Sequence, residues 1–353
     1  MKIAKATDRY EAWLGQHLHI VDDDLGLKHE QMRSAPFPFL RATYYRWAQI
    51  WAEVTGEIAR APRALAVGDL HVENFGTWRD IEGRLVWGLN DFDEAWRLPY
   101  TNDLIRLATS ALLAQMNCDV KAGIDAILKG YVECLNAGGR AFVLAEHHPV
   151  LRHMATQRLH DPESYWEKLH GLPEYKEPLP SGVHKAIDRM MPEPKMTWRT
   201  AHRIAGLGSL GRERFLCIAE YHGGSVAREA KALAPSACLW AEQGKGSAGI
   251  LYQEIIDRSV RCPDPFVRLQ KRWIVRRLAP DCSRIELSAL PKERDETRLL
   301  HAMGWETANI HLGTLKPGAL LADLKRRPRG WLFRAAHKMQ EAVMADFEEY
   351  RQA

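Results

Sequence analysis

Residues 68–76 read Gly-Asp-Leu-His-Val-Glu-Asn-Phe-Gly, and residues 90–95 read Asn-Asp-Phe-Asp-Glu-Ala. Between these polar segments, residues 78–89 contain a Glu-Gly turn followed by the apolar run Leu-Val-Trp. This pattern predicts a β-hairpin, which would return Asp91 to the side of Asn74. The hairpin would gather carboxylate and amide oxygens, which are the ligands that a hard cation such as Mg²⁺ prefers.

The spacing of these polar residues is the one that phosphoryl transfer by kinases requires. In that chemistry one aspartate accepts the proton of the attacking hydroxyl, while an asparagine and a second aspartate hold Mg²⁺ against the ATP phosphates. Asp69, Asn74 and Asp91 fit these roles in order. The alternative is a pair of ordinary turns, because Asp and Asn side chains often cap local backbone. Two motif halves joined by a hairpin favour the catalytic interpretation.

Composition limits the class of protein. The chain has 353 residues, 46% of them hydrophobic, which is enough for a substantial core and suggests two domains or lobes. A net charge of +4 is too weak an excess to indicate nucleic-acid binding. Six cysteines without a Cys-x-x-Cys pair are typical of reduced thiols. We see no signal peptide and no membrane-spanning segment, so we expect a soluble cytoplasmic protein without a membrane partner.

Periodicity predicts a largely helical chain with one β-rich segment. Helices are expected at residues 8–20, 39–60, 102–117, 120–146, 236–260 with a break at 244–246, and after Pro291. The prolines of residues 34–41 interrupt the first helical region. Strands are expected at residues 64–67, 198–205, 212–221, 226–233 and 273–278. Residues 147–197 are rich in proline, histidine and charge, which predicts loops with short helices.

A second motif, Gly206-x-Gly208-x-x-Gly211, lies between two of the predicted strands. A dinucleotide-binding unit would place these glycines between a strand and a helix. A strand, a glycine loop and a second strand form the arrangement with which kinases cover the ATP phosphates. The alternative is an ordinary glycine-containing hairpin.

A kinase also needs a strand lysine that contacts the phosphates and a helix carboxylate that holds this lysine. Lys231 lies on the third predicted strand, although it could equally be a solvated strand residue. Glu254 is the preferred carboxylate and Glu242 is its competitor. Asp103 opens the helix after the second motif half, where it could cap the helix or brace the catalytic loop. His71 could contact the substrate or act as a structural hydrogen-bond donor.

These motifs resemble the bacterial domain of unknown function 2252 family, which is grouped with protein-kinase-like and aminoglycoside-phosphotransferase-like proteins. The resemblance covers most of the chain, and its specific motifs are residues 68–76 and Gly206-x-Gly208-Ser209-x-Gly211. It implies that Asp69 is the catalytic base, that Asn74 and Asp91 are metal ligands, and that Lys231 contacts phosphate. It implies no substrate.

The sequence departs from the family and kinase patterns at three positions. Val67 stands where kinases usually have histidine, and Asp93 replaces the glycine after Asp-Phe, as in small-molecule phosphotransferases. The residue after Lys231 is alanine, where the family usually has an acidic residue.

The order of the motifs is reversed relative to ordinary kinases, because the glycine loop and Lys231 follow the catalytic loop. The helix over residues 299–312 looks like the one that normally leads into the catalytic loop. We therefore predict an α+β, protein-kinase-like, two-lobed fold that is circularly permuted. Residues 195–282 would form a small antiparallel β-rich nucleotide-binding lobe. Residues 1–194 and 283–353 would form the α-rich catalytic lobe.

The expected function is ATP- and Mg²⁺-dependent phosphoryl transfer to a small-molecule hydroxyl. Asp69 would deprotonate the acceptor, and Asn74 and Asp91, with Asp93, would hold Mg²⁺. The cofactor-binding residues would be Gly206, Gly208, Ser209, Gly211, Lys231 and Glu254. Trp78, Trp96 and residues 147–197 are candidates for the acceptor pocket. The alternatives are a nucleotide-binding pseudokinase that regulates a partner, or transfer of AMP to a protein.

Overall fold

The computed structural model describes residues 1–114, 118–157, 159–244, 249–282 and 295–353, and the fold is α+β. The described helices are α1 (Ile3–Leu14), α2 (Asp22–Ser34), α3 (Pro36–Ala42), α4 (Tyr44–Thr55), α5 (Thr101–Leu113), α6 (Val120–Ala137), α7 (Pro149–Thr156), α8 (Pro162–His170), α9 (Ser181–Asp188), α10 (Ala237–Ala241), α11 (Tyr252–Arg258), α12 (Asp295–His311), α13 (Pro317–Arg326) and α14 (Trp331–Gln352). Among these, none has the length and apolar character needed to cross a membrane.

The described strands form three antiparallel sheets. They are β1 (Arg63–Ala66), β2 (Phe75–Arg79), β3 (Leu85–Leu89), β4 (Trp96–Pro99), β5 (Phe142–Val143), β6 (Arg199–His202), β7 (Arg214–Tyr221), β8 (Gly224–Ala232), β9 (Val267–Gln270) and β10 (Trp273–Leu278). The largest sheet has the order β6-β7-β8-β10-β9. The strands predicted at residues 198–205, 212–221, 226–233 and 273–278 are thus confirmed, and β9 is an addition at the sheet edge.

The hairpin predicted between the two polar segments is confirmed. Strands β2 and β3 pair with Phe75 opposite Leu89 and Arg79 opposite Leu85. The backbone N–H of Asn90 donates to the carbonyl of Asn74 at 3.1 Å, just beyond the last strand pair. Strand β5 extends this sheet, while β1 pairs separately with β4. The two polar segments therefore leave the same end of one sheet.

The N-terminal helices differ from the predicted ones. The helical structure is interrupted at Ala35, between α2 and α3. The backbone of Ala35 is extended, which is the conformation that a following proline favours. Pro36 then starts α3 instead of ending a helix, because a proline at the first helical position removes an N–H that has no intrahelical acceptor. Helix α2 was not predicted, since its polar sequence shows little apolar periodicity. Parts of three predicted features, at residues 115–117, 245–246 and 291–294, lie outside the described residues.

Helices α6 and α12 approach each other through two glycines. A Cβ atom on Gly130 would overlap the carbonyl oxygen of His301, and one on Gly304 would overlap that of Ile127. Both obstacles are backbone atoms, so side-chain movement cannot relieve the overlap. This close crossing places His311, at the end of α12, beside Tyr131 of α6, whose hydroxyl lies 2.8 Å from Nδ1 of that histidine.

We expect Gly304→Ala to lower the free energy of unfolding by at least about 2 kcal/mol, because the added methyl group would push two helix backbones apart. Gly26→Ala in α2 is the matched control, since no atom lies within 4 Å of its Cβ position. The control should be more stable by roughly 0.5–1 kcal/mol, as alanine is the better helix former. Urea denaturation of both variants measures the two effects. Equal stability of Gly304→Ala and the parent protein would contradict the close crossing.

Candidate functional site

The loop that carries Asp69 follows β1 and depends on a glycine. Gly68 has a φ of 80°, a conformation that other residues rarely adopt. A Cβ atom at this position would overlap the carbonyl oxygen of Glu94 and would lie 2.7 Å from the hydroxyl of Tyr44. The absence of a side chain at residue 68 thus allows the Asp69 loop to contact the segment that carries Asp91, Asp93 and Glu94.

Asp103 of α5 holds this loop in place. Its two carboxylate oxygens accept hydrogen bonds from the backbone N–H groups of Val67, at 2.7 Å, and Gly68, at 3.0 Å. Nε2 of His311 lies 3.1 Å from the same carboxylate, and both side chains are fully buried. Of the two roles predicted for Asp103, bracing of the loop is confirmed.

Asp69 is held by a buried arginine to which the sequence analysis assigned no role. Arg106, three residues after Asp103 on α5, directs Nε and Nη2 to Oδ1 of Asp69, with Nε at 3.0 Å. Its guanidinium lies between the rings of Tyr44 and Trp47, 4.9 Å from each centroid. An arginine flanked by the apolar residues Ile105 and Leu107 in this helix was the signal that could have identified it.

The burial of Asp69 raises the pKa of its carboxyl to about 7, even though Arg106 acts in the opposite direction. Its second oxygen, Oδ2, faces the glycine loop, where a Cβ atom on Gly208 would lie 3.4 Å from it. A carboxylate with a pKa near neutrality, fixed through one oxygen, is suited to accept a proton at the other.

Asn74 and Asp91 line the same cavity as Asp69, and the predicted hairpin brings Asp91 back to the side of Asn74. The Asn74 side-chain amide donates to the backbone carbonyl of Asp69 at 2.6 Å. Asp69, Asn74, Asp91 and Asp93 together line a small cavity of about 40 Å³ beneath the glycine loop. The predicted return of Asp91 to the side of Asn74 is thus confirmed, and the structure adds that Asp69 and Asp93 line the same cavity.

Lys231 meets the two aspartates of the second segment. Its Nζ lies 2.6 Å from Oδ2 of Asp93 and 3.6 Å from Oδ1 of Asp91. Lys231 is buried on β8, and this burial lowers the pKa of its ammonium group. The alternative of a solvated strand residue is thereby excluded.

Glu254, the helix carboxylate predicted to hold Lys231, lies on α11 and forms its ion pairs with other residues. Its carboxylate is 2.8 Å from Nη2 of Arg97 and 3.1 Å from Nε of Arg258. The competing residue, Glu242, lies 3.9 Å from Arg63. Among the described residues, the carboxylates that pair with Lys231 are therefore those of Asp91 and Asp93, not that of a helix glutamate.

A second cation, Arg212, was not identified from the sequence. It follows Gly211 directly, is 4% exposed, and places Nη2 3.1 Å from Glu94 and Nη1 3.6 Å from Asp93. Glu94 also accepts from the backbone N–H of Ala237 at 2.6 Å and from the hydroxyl of Ser236 at 3.1 Å. These contacts join residues 91–94, the acidic segment, to the chain just before β7 and just after β8 of the large sheet.

The glycine loop joins β6 to β7, so the predicted arrangement of strand, loop and strand is confirmed. Gly206 and Gly211 have φ values of 73° and 88°, which explains why glycine occupies these two positions. The Ser209 hydroxyl accepts from Nη2 of Arg214 at 2.7 Å and lies 3.1 Å from the carbonyl of Gly206. Gly208 passes directly above Asp69.

The oxygen-rich donor set fits a hard cation. Asp91, Asp93 and Asn74 offer carboxylate and amide oxygens, and Oδ1 of Asp93 is buried with no hydrogen-bond partner in the described part of the chain. The described residues contain no group of three or more His, Cys, Asp or Glu side chains that could hold a metal by themselves. Mg²⁺ commonly binds through one or two carboxylates and substrate phosphates, so this set would need a phosphorylated ligand to complete it.

A much larger cleft of about 1440 Å³ meets the small cavity at Gly206, which lines both. Trp78, Asn90 and Phe92 line the cleft from the hairpin, and His160, Ser181 and Lys185 line it from the predicted pocket segment 147–197. Trp96, the other predicted pocket residue, instead pairs with Ala66 in the β1–β4 sheet. The cleft thus adjoins the small cavity that Asp69 lines.

Comparison with protein families matches residues 21–142 to a model described as an uncharacterized protein conserved in bacteria (DUF2252). The matched segment contains the Asp69 loop, the hairpin, Asp103 and Arg106, but neither the glycine loop nor Lys231. Comparisons with curated proteins and with solved structures find no match. Over residues 21–142 the chain is therefore similar to this bacterial family, whose description states no activity.

We expect Asp103→Ala to lower the free energy of unfolding by at least about 3 kcal/mol, because it leaves two buried N–H groups and a buried histidine without their acceptor. Asp119→Ala is the control, since Asp119 caps α6 from an exposed position and its loss should cost about 1 kcal/mol. Urea denaturation of the two variants provides the comparison. If both variants lost the same stability, the bracing role of Asp103 would be refuted.

Proposed function

We propose that this protein is an ATP- and Mg²⁺-dependent phosphotransferase that acts on a small-molecule hydroxyl. The observation that carries the proposal is that Asp69, Asn74, Asp91 and the glycine loop line one cavity, while Lys231 pairs with Asp91 and Asp93 of that lining. The two groups, residues 69–91 and residues 206–231, lie more than 100 positions apart in the chain, yet they meet in the structure, and this supports a site for phosphoryl transfer. Ordinary turns would not account for this convergence.

Each residue would have a distinct task. Asp69, fixed by Arg106, would accept the proton of the acceptor hydroxyl. Asn74 and Asp91, with Asp93, would hold Mg²⁺, which supplies positive charge against the phosphate oxygens. Lys231 and the backbone N–H groups of the glycine loop would orient the phosphates. Because the cavity at Asp69 is small, the rest of the nucleotide would lie in the adjoining cleft.

The proposal includes a circularly permuted, kinase-like chain. In support of it, the hydroxyl of Thr314, just after α12, accepts a hydrogen bond at 2.9 Å from the backbone N–H of Leu65 in β1. The end of α12 therefore lies beside the strand that leads into the Asp69 loop, although the two are far apart in sequence. A chain that ran from α12 directly into β1 would have the order of an ordinary kinase.

The first test is a thermal-shift titration with ATP in the presence and absence of Mg²⁺. A ligand at 100 times its Kd stabilises the folded state by about 2.7 kcal/mol, so the melting temperature should rise by several degrees. Asp91→Asn should remove the Mg²⁺-dependent part of this shift, and Lys231→Met should weaken the response to ATP alone. Asp161→Asn, at the exposed cap of α8, serves as the control and should respond like the parent protein. Absence of any shift at saturating ATP would overturn the proposal.

AMP transfer is the second candidate, and one observation favours it. Three arginines, Arg203, Arg214 and Arg276, surround the single buried carboxylate of Glu229, two residues before Lys231 on β8. The positive charge of these arginines exceeds that of the one carboxylate, so the group would attract phosphates. A nucleotide bound in the reverse direction would place its phosphates in this part of the cleft. The by-product distinguishes the two reactions, because phosphoryl transfer releases ADP whereas AMP transfer releases pyrophosphate.

A further inference from the structure

The large cleft is strongly basic over its described lining. Eight lysines and arginines line it against two aspartates, Asp257 and Asp264. The basic residues are Lys185, Arg189, Arg203, Arg261, Arg268, Lys271, Arg276 and Arg277. Such an excess of one sign in a concave site raises the local concentration of ions of the opposite sign. The cleft therefore favours a negatively charged ligand.

Some of these basic groups are hydrogen-bonded to a carboxylate, and others have buried N–H donors without an acceptor among the described residues. Arg203 and Arg276 share the carboxylate of Glu229, with Nη2 of Arg276 at 2.9 Å. By contrast, Nη1 of Arg261 and Nε of Arg277 are buried and have no hydrogen-bond partner among the described residues. A buried donor without an acceptor costs about 1–3 kcal/mol, which an incoming anion would offset.

Arg261 is also held rigidly. Its guanidinium stacks 4.7 Å from the ring centroid of Trp78 and 5.1 Å from that of Phe92. Phe92 lies between Asp91 and Asp93, so Arg261 sits directly behind the segment that would hold Mg²⁺. An arginine with a fixed guanidinium plane loses little freedom when it binds a phosphate or carboxylate.

Arg277 repeats this arrangement on β10. Its guanidinium lies 4.5 Å from the ring centroid of Phe266, and its nearest carboxylate, Asp281, is 3.8 Å away. The lining thus contains two arginines that are oriented by aromatic rings and whose buried N–H donors have no acceptor within the described part of the chain. This is the arrangement expected of an anion subsite and not of a solvated basic surface.

We propose that the cleft contains an anion subsite anchored by Arg261 and Arg277, and that it binds a phosphate or carboxylate group of the acceptor molecule. The acceptor would then be an anionic small molecule that carries both this group and the reacting hydroxyl. The assignment to the acceptor rests on the proposed phosphotransferase function, whereas the anion subsite rests on the arginines alone. A second source of the same chemistry would be the phosphates of the nucleotide.

The test measures binding of inorganic phosphate by thermal shift, with potassium chloride at the same ionic strength as the reference. Phosphate should raise the melting temperature of the parent protein. Arg261→Gln and Arg277→Gln should each weaken phosphate binding at least tenfold, and Arg261→Lys should recover only part of it, because lysine lacks the planar fork. Arg9→Gln on α1, outside the cleft lining, should change the affinity by less than twofold.

The titration is then repeated at saturating Mg²⁺-ATP, which separates the two sources of anion. An unchanged phosphate affinity supports a subsite for the acceptor. Competition between phosphate and ATP would show that the arginines hold the nucleotide's own phosphates and would overturn the assignment to the acceptor. No response to phosphate in either titration overturns the subsite itself. Phosphate binding without any ATP binding would leave the subsite standing while the proposed function fails.

Discussion

The buried carboxylate of Asp103 is the interaction on which the site depends. It joins α5 to the backbone of the Asp69 loop and to His311 at the end of α12, and through that histidine to Tyr131 of α6. A carboxylate without solvent is costly unless its oxygens have partners, and here each oxygen accepts from at least one N–H group. The position of Asp69 is thus determined by three helices and not by its own loop alone.

The acidic segment depends on a balance of charge. Asp91, Asp93 and Glu94 would repel one another if Lys231 and Arg212 did not lie among them. In the proposed function, Mg²⁺ and the Lys231 ammonium group would compete for the oxygens of Asp93. The phosphates of a bound nucleotide would resolve this competition, since they would offer Lys231 new acceptors while the carboxylates held Mg²⁺. Binding of metal and of nucleotide should therefore be coupled.

The features that could be predicted from the sequence are those encoded by local patterns. The hairpin and the strands on either side of Gly206–Gly211 follow from alternation and turn residues within about 30 positions of each other. The ion pairs could not be predicted in this way, because they depend on how distant elements pack. Arg106 reaches Asp69 across 37 residues, and Glu254 finds Arg97 across 157. The charge of a residue does not show, from the sequence, which of the many oppositely charged residues it will pair with in the folded chain.

The glycine loop is also bound to the N-terminal part of the chain. Gly211 accepts a backbone hydrogen bond from Val21 at 2.9 Å, and His202 of β6 lies 2.9 Å from Asp24 of α2. A loop that covers phosphates must move enough to admit them, and the cavity beneath it now holds only about 40 Å³. Val21, which precedes α2, and Asp24 of α2 contact the two ends of the loop, so the loop can open with these contacts intact only if α2 moves with it. In the proposed permuted chain, the N-terminal helices would therefore move together with the nucleotide-binding sheet, although they belong by sequence to the α-rich half.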